Sequence, residues 1–416
     1  MNKTMNRWLV VVGAIIIQLC LGAIYAWSVF TPSLKQAGWT ASQTQAVFSA
    51  GLAFFAIVMV IAGRLMPKIG PRKLSMAGGI VLGLGYLLAG IFGGTNFWSI
   101  FVFIGVIGGS GIGLAYVVPI AVGMRWFPDK KGLITGLAVA GFGFGAMLWV
   151  KLAGAWGNLI ADIGLSSTFT IYGVVFLVSV VIGGIWMVFP PEGWKPAGWN
   201  PPVAKAGAAP VAGSVDFISS QMLKTPQFYM ILMTFAFGAS AGLMSIGLMK
   251  LFPIQALTAA GVANASAIAG TAMAVFYSLA NGLGRIAWGA MSDKLGRKTS
   301  ITIMMATQGI VVILFQWMAG TPALLYLGAT LIGFNFGGNF ALFPTITADT
   351  FGAKHVGQNY GWVFLAYGIG GIFGPMLGGK LGDLGNFPLA FTICGILCLV
   401  AAGIITMVKP PKAVSA

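Results

Sequence analysis

The chain carries the stretch GAMSDKLGRK at residues 289–298 and a related stretch, GRLMPKIGPRK, at residues 63–73. Each stretch joins one long apolar run to the next. A second pair of related stretches, RWFPDKK at residues 125–131 and TFGAKH at residues 350–355, precedes a glycine-rich run in each half of the chain. Because both pairs recur with nearly the same offset, the pattern predicts a duplicated unit, as in many secondary transporters.

The composition predicts that the solvent around this chain is lipid. Charged residues make up 7% of the chain, against roughly 25% in ordinary soluble domains. Hydrophobic residues make up 58%, and there are 62 glycines. Small residues allow close helix–helix packing in a membrane, where no hydrophobic drive brings helices together. A soluble domain could not cover its surface with so few charges.

We predict an all-α integral membrane protein of twelve transmembrane helices in two pseudo-symmetric six-helix bundles. A spanning helix needs about 20 mostly apolar residues. Twelve stretches meet this length, at residues 7–33, 44–67, 72–95, 97–126, 131–159, 166–190, 224–252, 262–291, 298–320, 322–349, 355–382 and 386–409. Residues 1–190 form the N-terminal bundle, residues 191–223 a cytoplasmic linker rich in proline, glycine and alanine, and residues 224–416 the C-terminal bundle.

The distribution of basic residues predicts the orientation. The outer side receives Lys35, Lys151, Lys250 and Lys380, Arg285 lies inside a span, and the other eighteen of the 23 basic residues lie at the opposite ends and loops. By the positive-inside rule, both termini are cytoplasmic. We expect a multi-pass protein of the bacterial inner membrane. The first apolar run lacks a small-residue cleavage site, so it is interpreted as a helix and not as a signal peptide.

Several function classes are disfavoured. The net charge of +16 is spread in short clusters between apolar runs, so we expect no nucleic-acid partner. The three cysteines lie in apolar runs and the single histidine is expected in a loop, so we expect no metal and no cofactor. An enzyme would need a metal, paired carboxylates or an activated nucleophile, and a receptor would need a soluble domain. The chain offers neither, so we expect a transporter and not an enzyme.

The stretch at 289–298 resembles the loop signature of the major facilitator superfamily, which recurs in both halves of those proteins. The resemblance implies gating roles for Asp293 and Arg297. An aspartate at this place can face the positive N-terminal end of a neighbouring helix and stabilise one gate conformation. The alternative is a generic solvated turn. In the first copy Pro67 replaces the acidic residue, so the gating role is expected in the second copy alone.

Four other motifs resemble the oxalate/formate exchanger and monocarboxylate transporter branch of this superfamily. They are RWFPDKKG at residues 125–132, KTPQF at residues 224–228, ALFP at residues 341–344 and NYG at residues 359–361. All of them are predicted in loops or at helix ends, so none does chemistry by itself. The resemblance implies small carboxylates as substrates.

Arg285 is the basic residue predicted deep inside a span, in helix eight. Every acidic residue falls in a loop or at a helix end (Asp129, Asp162, Glu192, Asp216, Asp293, Asp349 and Asp383). Because the sequence places no carboxylate in a span to neutralise Arg285, we expect it to bind an anion, and guanidinium pairs bidentately with carboxylate. The alternative is an arginine bonded to helix carbonyls.

The other candidate substrate-binding residues are polar or aromatic side chains predicted inside spans: Asn281, Tyr116, Asn339, Phe340, Tyr25 and Tyr367. Asn281 lies one helical turn before Arg285, where monocarboxylate transporters commonly carry an aspartate. A helix–helix hydrogen bond is the alternative for Asn281, and aromatic packing is the alternative for Tyr116. By resemblance, Tyr116 matches a tyrosine of this branch that contacts the substrate from the other half.

Tyr367 occupies, by resemblance, the place where oxalate exchangers carry a second cation. A dicarboxylate needs two cationic partners, and a monocarboxylate needs one. We therefore predict a lactate- or pyruvate-like monocarboxylate. The resemblance implies that it is carried together with a proton, by alternating access, and we expect a monomer embedded in the bilayer. The alternative is a carboxylate exchanger of the oxalate/formate type, because an empty site would leave a buried positive charge.

Overall fold

The computed structural model describes residues 5–39, 41–154, 156–199, 216–249, 251–409 and 411. Lys3, Lys205, Lys250, Lys412 and residues 200–215 of the predicted linker lie outside these ranges. Throughout the described ranges the regular structure is helical, with no β-strand. This confirms the all-α fold class.

Eleven helices among the described residues are long and apolar enough to cross a membrane. A further helix, Pro322–Phe351, has 30 residues and lower hydropathy because it contains two asparagines. Each predicted span corresponds to one helix: α1 Trp8–Trp27, α2 Ala46–Ile69, α3 Pro71–Gly93, α4 Phe97–Trp126, α5 Lys131–Ala153, α6 Leu159–Gly184, α7 Pro226–Leu248, α8 Ala265–Leu295, α9 Arg297–Met318, α10 Pro322–Phe351, α11 Val356–Gly382 and α12 Phe387–Thr406. Short helices lie at Thr31–Gln36, Ser219–Met222 and Leu251–Ala259.

The first and seventh predicted spans end differently in the structure. The first, predicted at 7–33, is α-helical over Trp8–Leu21 and tightens into a 3₁₀ segment over Gly22–Val29. The seventh, predicted at 224–252, ends at Leu248, and a separate helix begins at Leu251. Pro253 lies in the first turn of that helix, where its missing N–H is tolerated.

The chain folds into two compact units. The first unit comprises Met1–Asp129, Leu137–Trp199 and Tyr360–Trp362, and the second comprises Lys130–Gly136, Asn200–Asn359 and Val363–Ala416. Helix α5 thus begins in the second unit and continues in the first. The boundaries 1–190, 191–223 and 224–416 stay predictions.

The turns that carry the first sequence repeat have the same backbone geometry. Gly70, between α2 and α3, has φ 81° and ψ 155°, and Gly296, between α8 and α9, has φ 85° and ψ 154°. Residues with a side chain rarely adopt this positive φ. The glycine in both copies is therefore required by the turn that reverses the chain.

Two of the motifs that resemble the oxalate/formate and monocarboxylate branch form hydrogen bonds at helix ends. In KTPQF, the Thr225 hydroxyl accepts a hydrogen bond from the Phe228 amide at 3.3 Å and caps α7, with Pro226 in its first turn. In NYG, the Asn359 amide donates to the Phe217 carbonyl at 2.9 Å and accepts from the Ser219 hydroxyl at 3.0 Å. These bonds fix the chain that enters α7 against the start of α11.

Helices α8 and α10 pack backbone against backbone. A side chain at Gly284 of α8 would overlap the Phe334 carbonyl of α10, and one at Gly337 of α10 would overlap the Asn281 carbonyl of α8. In a membrane, such close packing at glycines drives helix association in place of the hydrophobic effect. The segment of α8 that carries Arg285 is therefore held directly on α10.

We expect Gly284→Ala to destabilise the protein by about 1–3 kcal/mol, because overpacking a close contact forces backbone shifts. Gly270→Ala in the same helix is the matched control, since nothing lies within 4 Å of its added methyl group. The measurement is the midpoint of thermal unfolding in detergent. Equal midpoints for the two variants would contradict the packing argument.

Candidate functional site

Arg285 lies in α8, and its side chain is fully buried. Its Nε–H donates to Asn281 Oδ1 at 3.2 Å, one helical turn earlier. Among the residues whose burial the structure describes, Arg285 is the only buried Lys, Arg, Asp or Glu. A buried charge costs several kcal/mol of solvation, so its surroundings must compensate for it.

Phe340 supplies part of that compensation. The guanidinium carbon of Arg285 lies 4.1 Å from the centroid of the Phe340 ring on α10. A cation over an aromatic face gains about 0.5–2 kcal/mol, and more when water is excluded. The backbone of Arg285 is also held closely, because a side chain at Gly136 of α5 would overlap its carbonyl oxygen.

Tyr367 joins this group through Phe340. The Tyr367 ring is buried on α11 and lies 5.6 Å from the Phe340 ring. Phe364, one turn earlier, stacks on Tyr367 at 5.0 Å. The structure thus brings four predicted residues into one group of neighbours, Asn281, Arg285, Phe340 and Tyr367, and adds Phe364, which the sequence reasoning missed. An aromatic residue in a long apolar run carries no distinguishing signal.

Asn339 lies elsewhere on α10. Its amide donates to the Phe336 carbonyl at 3.0 Å, and its Oδ1 lies 2.9 Å from the position that a Cβ at Gly238 of α7 would take. Adjacent residues of a helix project about 100° apart. Asn339 thus lies against Gly238 of α7, whereas the Phe340 ring lies against Arg285 and, at 6.4 Å, near Phe235 of α7. A role for Asn339 in substrate binding stays a prediction.

Tyr25 and Tyr116 lie in the first unit and share one aromatic neighbour. The Phe142 ring is 5.0 Å from Tyr25 and 5.5 Å from Tyr116. Phe55 packs on Tyr116 at 5.0 Å. Tyr116 is fully buried and Tyr25 is partly exposed. Their roles in substrate binding also stay predictions, and Phe55 and Phe142 were not singled out from the sequence.

Asp293 faces the N-terminal end of α5, the arrangement expected from its place in the repeat. Its carboxylate accepts from the backbone amides of Gly132 at 2.9 Å and Leu133 at 2.8 Å. It also pairs with Arg297 at 2.7 Å. A carboxylate at the positive end of a helix is stabilised by about 0.3–2 kcal/mol, depending on burial.

Two further charged residues, Asp349 and Lys131, join Asp293 and Arg297. From the sequence, both are predicted only at helix ends or in loops. Asp349 at the end of α10 accepts from Arg297 Nε at 2.9 Å and from Lys131 Nζ at 3.0 Å. The signal that could have found Asp349 is its position at the same predicted membrane face as Asp293. We call Lys131, Asp293, Arg297 and Asp349 the ionic cluster.

At the equivalent turn of the first unit, the side chains interact in a different way. Pro67 lies within the last turns of α2. Nearby, the Arg64 guanidinium lies 5.0 Å from the Trp362 ring, and the backbone of α2 at Met59 closely approaches Gly361. The two copies of the repeat therefore make a cation–π contact in one unit and ion pairs in the other.

The sequence model of the Major Facilitator Superfamily matches residues 10–276 and 243–416. This chain belongs to the Major Facilitator Superfamily. The uncharacterized MFS-type transporter YhjX of Escherichia coli (strain K12) is 31% identical to it over 376 residues, covering 89% of this chain and 87% of the relative. The Oxalate:formate antiporter of Oxalobacter formigenes is 26% identical over 409 residues, covering 97% and 92%. Monocarboxylate transporter 14 of Mus musculus is 24% identical over 430 residues, covering 88% and 82%.

A solved structure of the superfamily has the same fold. The proton:xylose symporter XylE superposes with a TM-score of 0.70 at 13% identity, covering 96% of this chain and 95% of that chain. The predicted resemblance to the oxalate/formate and monocarboxylate branch is confirmed by the relatives. This member of the Major Facilitator Superfamily is a transporter and not an enzyme.

We expect Asp293→Asn to slow transport several-fold while leaving substrate affinity nearly unchanged. Asparagine can still accept one backbone hydrogen bond, but it loses the charge that interacts with the α5 terminus and with Arg297. The measurement is the maximal uptake rate and the KM in proteoliposomes. Asp162→Asn, at an exposed aspartate in the first turn of α6, is the control. An unchanged maximal rate in Asp293→Asn would exclude a gating role.

Proposed function

We propose that this chain transports small monocarboxylates of the lactate and pyruvate type, coupled to a proton, by alternating access. The observation that carries the proposal is Arg285, fully buried in α8, bonded to Asn281 and covered by Phe340. A permanently charged guanidinium inside a membrane protein marks a functional site by default. Its planar donors match the two oxygens of a carboxylate.

The charge balance around Arg285 supports a substrate with one carboxylate. A bound monoanion would bring the site close to neutrality. A dicarboxylate would need a second cationic partner at its other end. In the second unit, the rings that pack on Phe340 from α11 include Phe364 and Tyr367, and both side chains are uncharged. The phenyl and phenol rings also suit the short apolar body of a lactate-like molecule.

Exchange of carboxylates is the second candidate function. The side chain next to Arg285 is the amide of Asn281, which cannot take up a proton as an aspartate could. Among the residues whose burial is described, no Asp or Glu is buried. An empty, closed site would therefore be unfavourable, which favours return of the protein with another anion bound. The relative named as an antiporter supports the same alternative.

The remaining predicted roles form part of this proposal. Asn281, Phe340 and Tyr367 line the carboxylate site with Arg285 in the second unit. The roles in substrate binding proposed from the sequence for Tyr25, Tyr116 and Asn339 are kept. Asp293 and Arg297 act as a gate. The protein lies in the bacterial inner membrane as a monomer. Both termini are cytoplasmic, because most basic residues lie on the side of the termini. The ionic cluster is then at the cytoplasmic face.

We expect Arg285→Ala to reduce uptake of labelled L-lactate into proteoliposomes to the background level. Arg285→Lys should retain a small fraction, because lysine keeps the charge but lacks the planar pair of donors. Arg72→Ala, at an exposed arginine in the first turn of α3, is the control. Thermal unfolding of each variant checks that the fold is intact. Uptake at the wild-type rate by Arg285→Ala would disprove the site.

The coupling mode is tested by comparing two driving forces in the same proteoliposomes. Symport predicts that an inward proton gradient accelerates L-lactate uptake without internal substrate. Exchange predicts acceleration only when the vesicles are preloaded with a carboxylate. Stimulation by preloading alone would contradict symport and establish the exchanger.

A further inference from the structure

A second polar group lies next to the carboxylate site in the second unit. The Trp288 indole N–H on α8 donates to Asn335 Oδ1 on α10 at 3.2 Å. The Asn335 amide in turn donates to the Thr307 hydroxyl on α9 at 3.2 Å. Trp288 and Asn335 are each 4% exposed. The three side chains form a hydrogen-bonded chain that joins three helices.

At the α9 end of this hydrogen-bonded chain, the Thr307 hydroxyl also has an acceptor of its own. The Thr307 hydroxyl donates to the Ile303 carbonyl at 2.8 Å, within its own helix. Both ends of the Asn335 side chain therefore have partners, one as acceptor and one as donor. Thr307 is itself exposed, whereas the Trp288 indole and the Asn335 amide are buried. A displacement of the helices would leave one of these two buried polar groups without its partner, so the bonds favour one arrangement.

The indole of Trp288 is also fixed by packing. A Cβ at Gly338 of α10 would lie 2.6 Å from Trp288 Cδ1, so the glycine allows the ring to lie directly on the α10 backbone. The Phe334 ring lies 6.0 Å from the indole. The ring thus rests against α10, and its N–H points at Asn335 of that helix.

The network and the carboxylate site share the same two helices. Asn281, Arg285, Trp288 and Ser292 follow one another at spacings of four, three and four residues, so they lie on one face of α8. Asn335 precedes Phe340 on α10 by five residues, about 7.5 Å along the axis. The bond from Trp288 to Asn335 therefore joins the helix that carries Arg285 to the helix that carries Phe340.

We propose that Trp288, Asn335 and Thr307 are positioning residues for the carboxylate site, holding α8 and α10 in the register that places the Arg285 guanidinium over Phe340. This role rests on the proposed function of Arg285. It differs from a purely structural role, because a positioning network affects substrate affinity more than it affects unfolding.

The test uses variants that remove or retain the polar groups of this network. Trp288→Phe removes the indole N–H, Thr307→Val removes the hydroxyl, and Thr307→Ser retains it. Trp317→Phe is the matched control, since this tryptophan of α9 is 66% exposed. KM and maximal rate are measured for L-lactate uptake in proteoliposomes, together with the midpoint of thermal unfolding.

We expect Trp288→Phe and Thr307→Val to raise the KM about three- to tenfold, in line with one interhelical hydrogen bond in a membrane protein. Thr307→Ser and Trp317→Phe should match the wild type. The double variant Trp288→Phe/Thr307→Val should raise the KM by less than the product of the single effects, because both changes break one network.

Two results would overturn the positioning role alone. One is an unchanged KM in Trp288→Phe and Thr307→Val while the wild type transports L-lactate. The other is an equal rise of KM in Thr307→Val and Thr307→Ser. Absence of L-lactate transport by the wild type would overturn the proposed function, and the positioning role with it.

Discussion

The burial of the Arg285 guanidinium constrains which side chains can surround it in the second unit of this transporter. Arg285 carries a permanent charge, and its side chain has no exposed surface. Two of its neighbours compensate for the loss of water, Asn281 through a hydrogen bond and Phe340 through the face of its ring. Both contacts are weaker than a buried ion pair. Neither of these two neighbours carries a negative charge.

That arrangement depends on how closely α8 lies to its neighbours. Glycines let the backbone of α10 approach α8 beside Arg285, and Gly136 of α5 packs on the Arg285 carbonyl. The Trp288–Asn335–Thr307 chain adds directional bonds to this packing. Close packing alone would allow two helices to slide, whereas a satisfied hydrogen bond holds one register. The glycines and the polar chain thus act together on the same pair of helices.

The two copies of the duplicated turn have diverged in chemistry while keeping their backbone. Gly70 and Gly296 adopt the same positive φ, but Pro67 stands where the second copy has Asp293. Ion pairs between Lys131, Asp349, Arg297 and Asp293 join α5, α10, α9 and α8 in the second unit. The first unit has the Arg64–Trp362 contact. The same backbone turn is therefore followed by a cation–π contact in one unit and by ion pairs in the other.

The sequence by itself determined the helical class, the number of spans, the repeat and the candidate cation, because these depend on local hydropathy and on spacing along one helix. It also placed Asn281 beside Arg285, since a separation of four residues brings two side chains together on any α-helix. The tertiary structure alone decided which residues meet across helices. It brings Phe340 to the Arg285 guanidinium, Asp349 into the ionic cluster and Asn335 to Trp288. In each case the residues that meet come from segments far apart in the chain. Asn339, adjacent to Phe340 in sequence, faces α7. The rotation of each helix about its axis depends on packing with its neighbours, and no single segment encodes it.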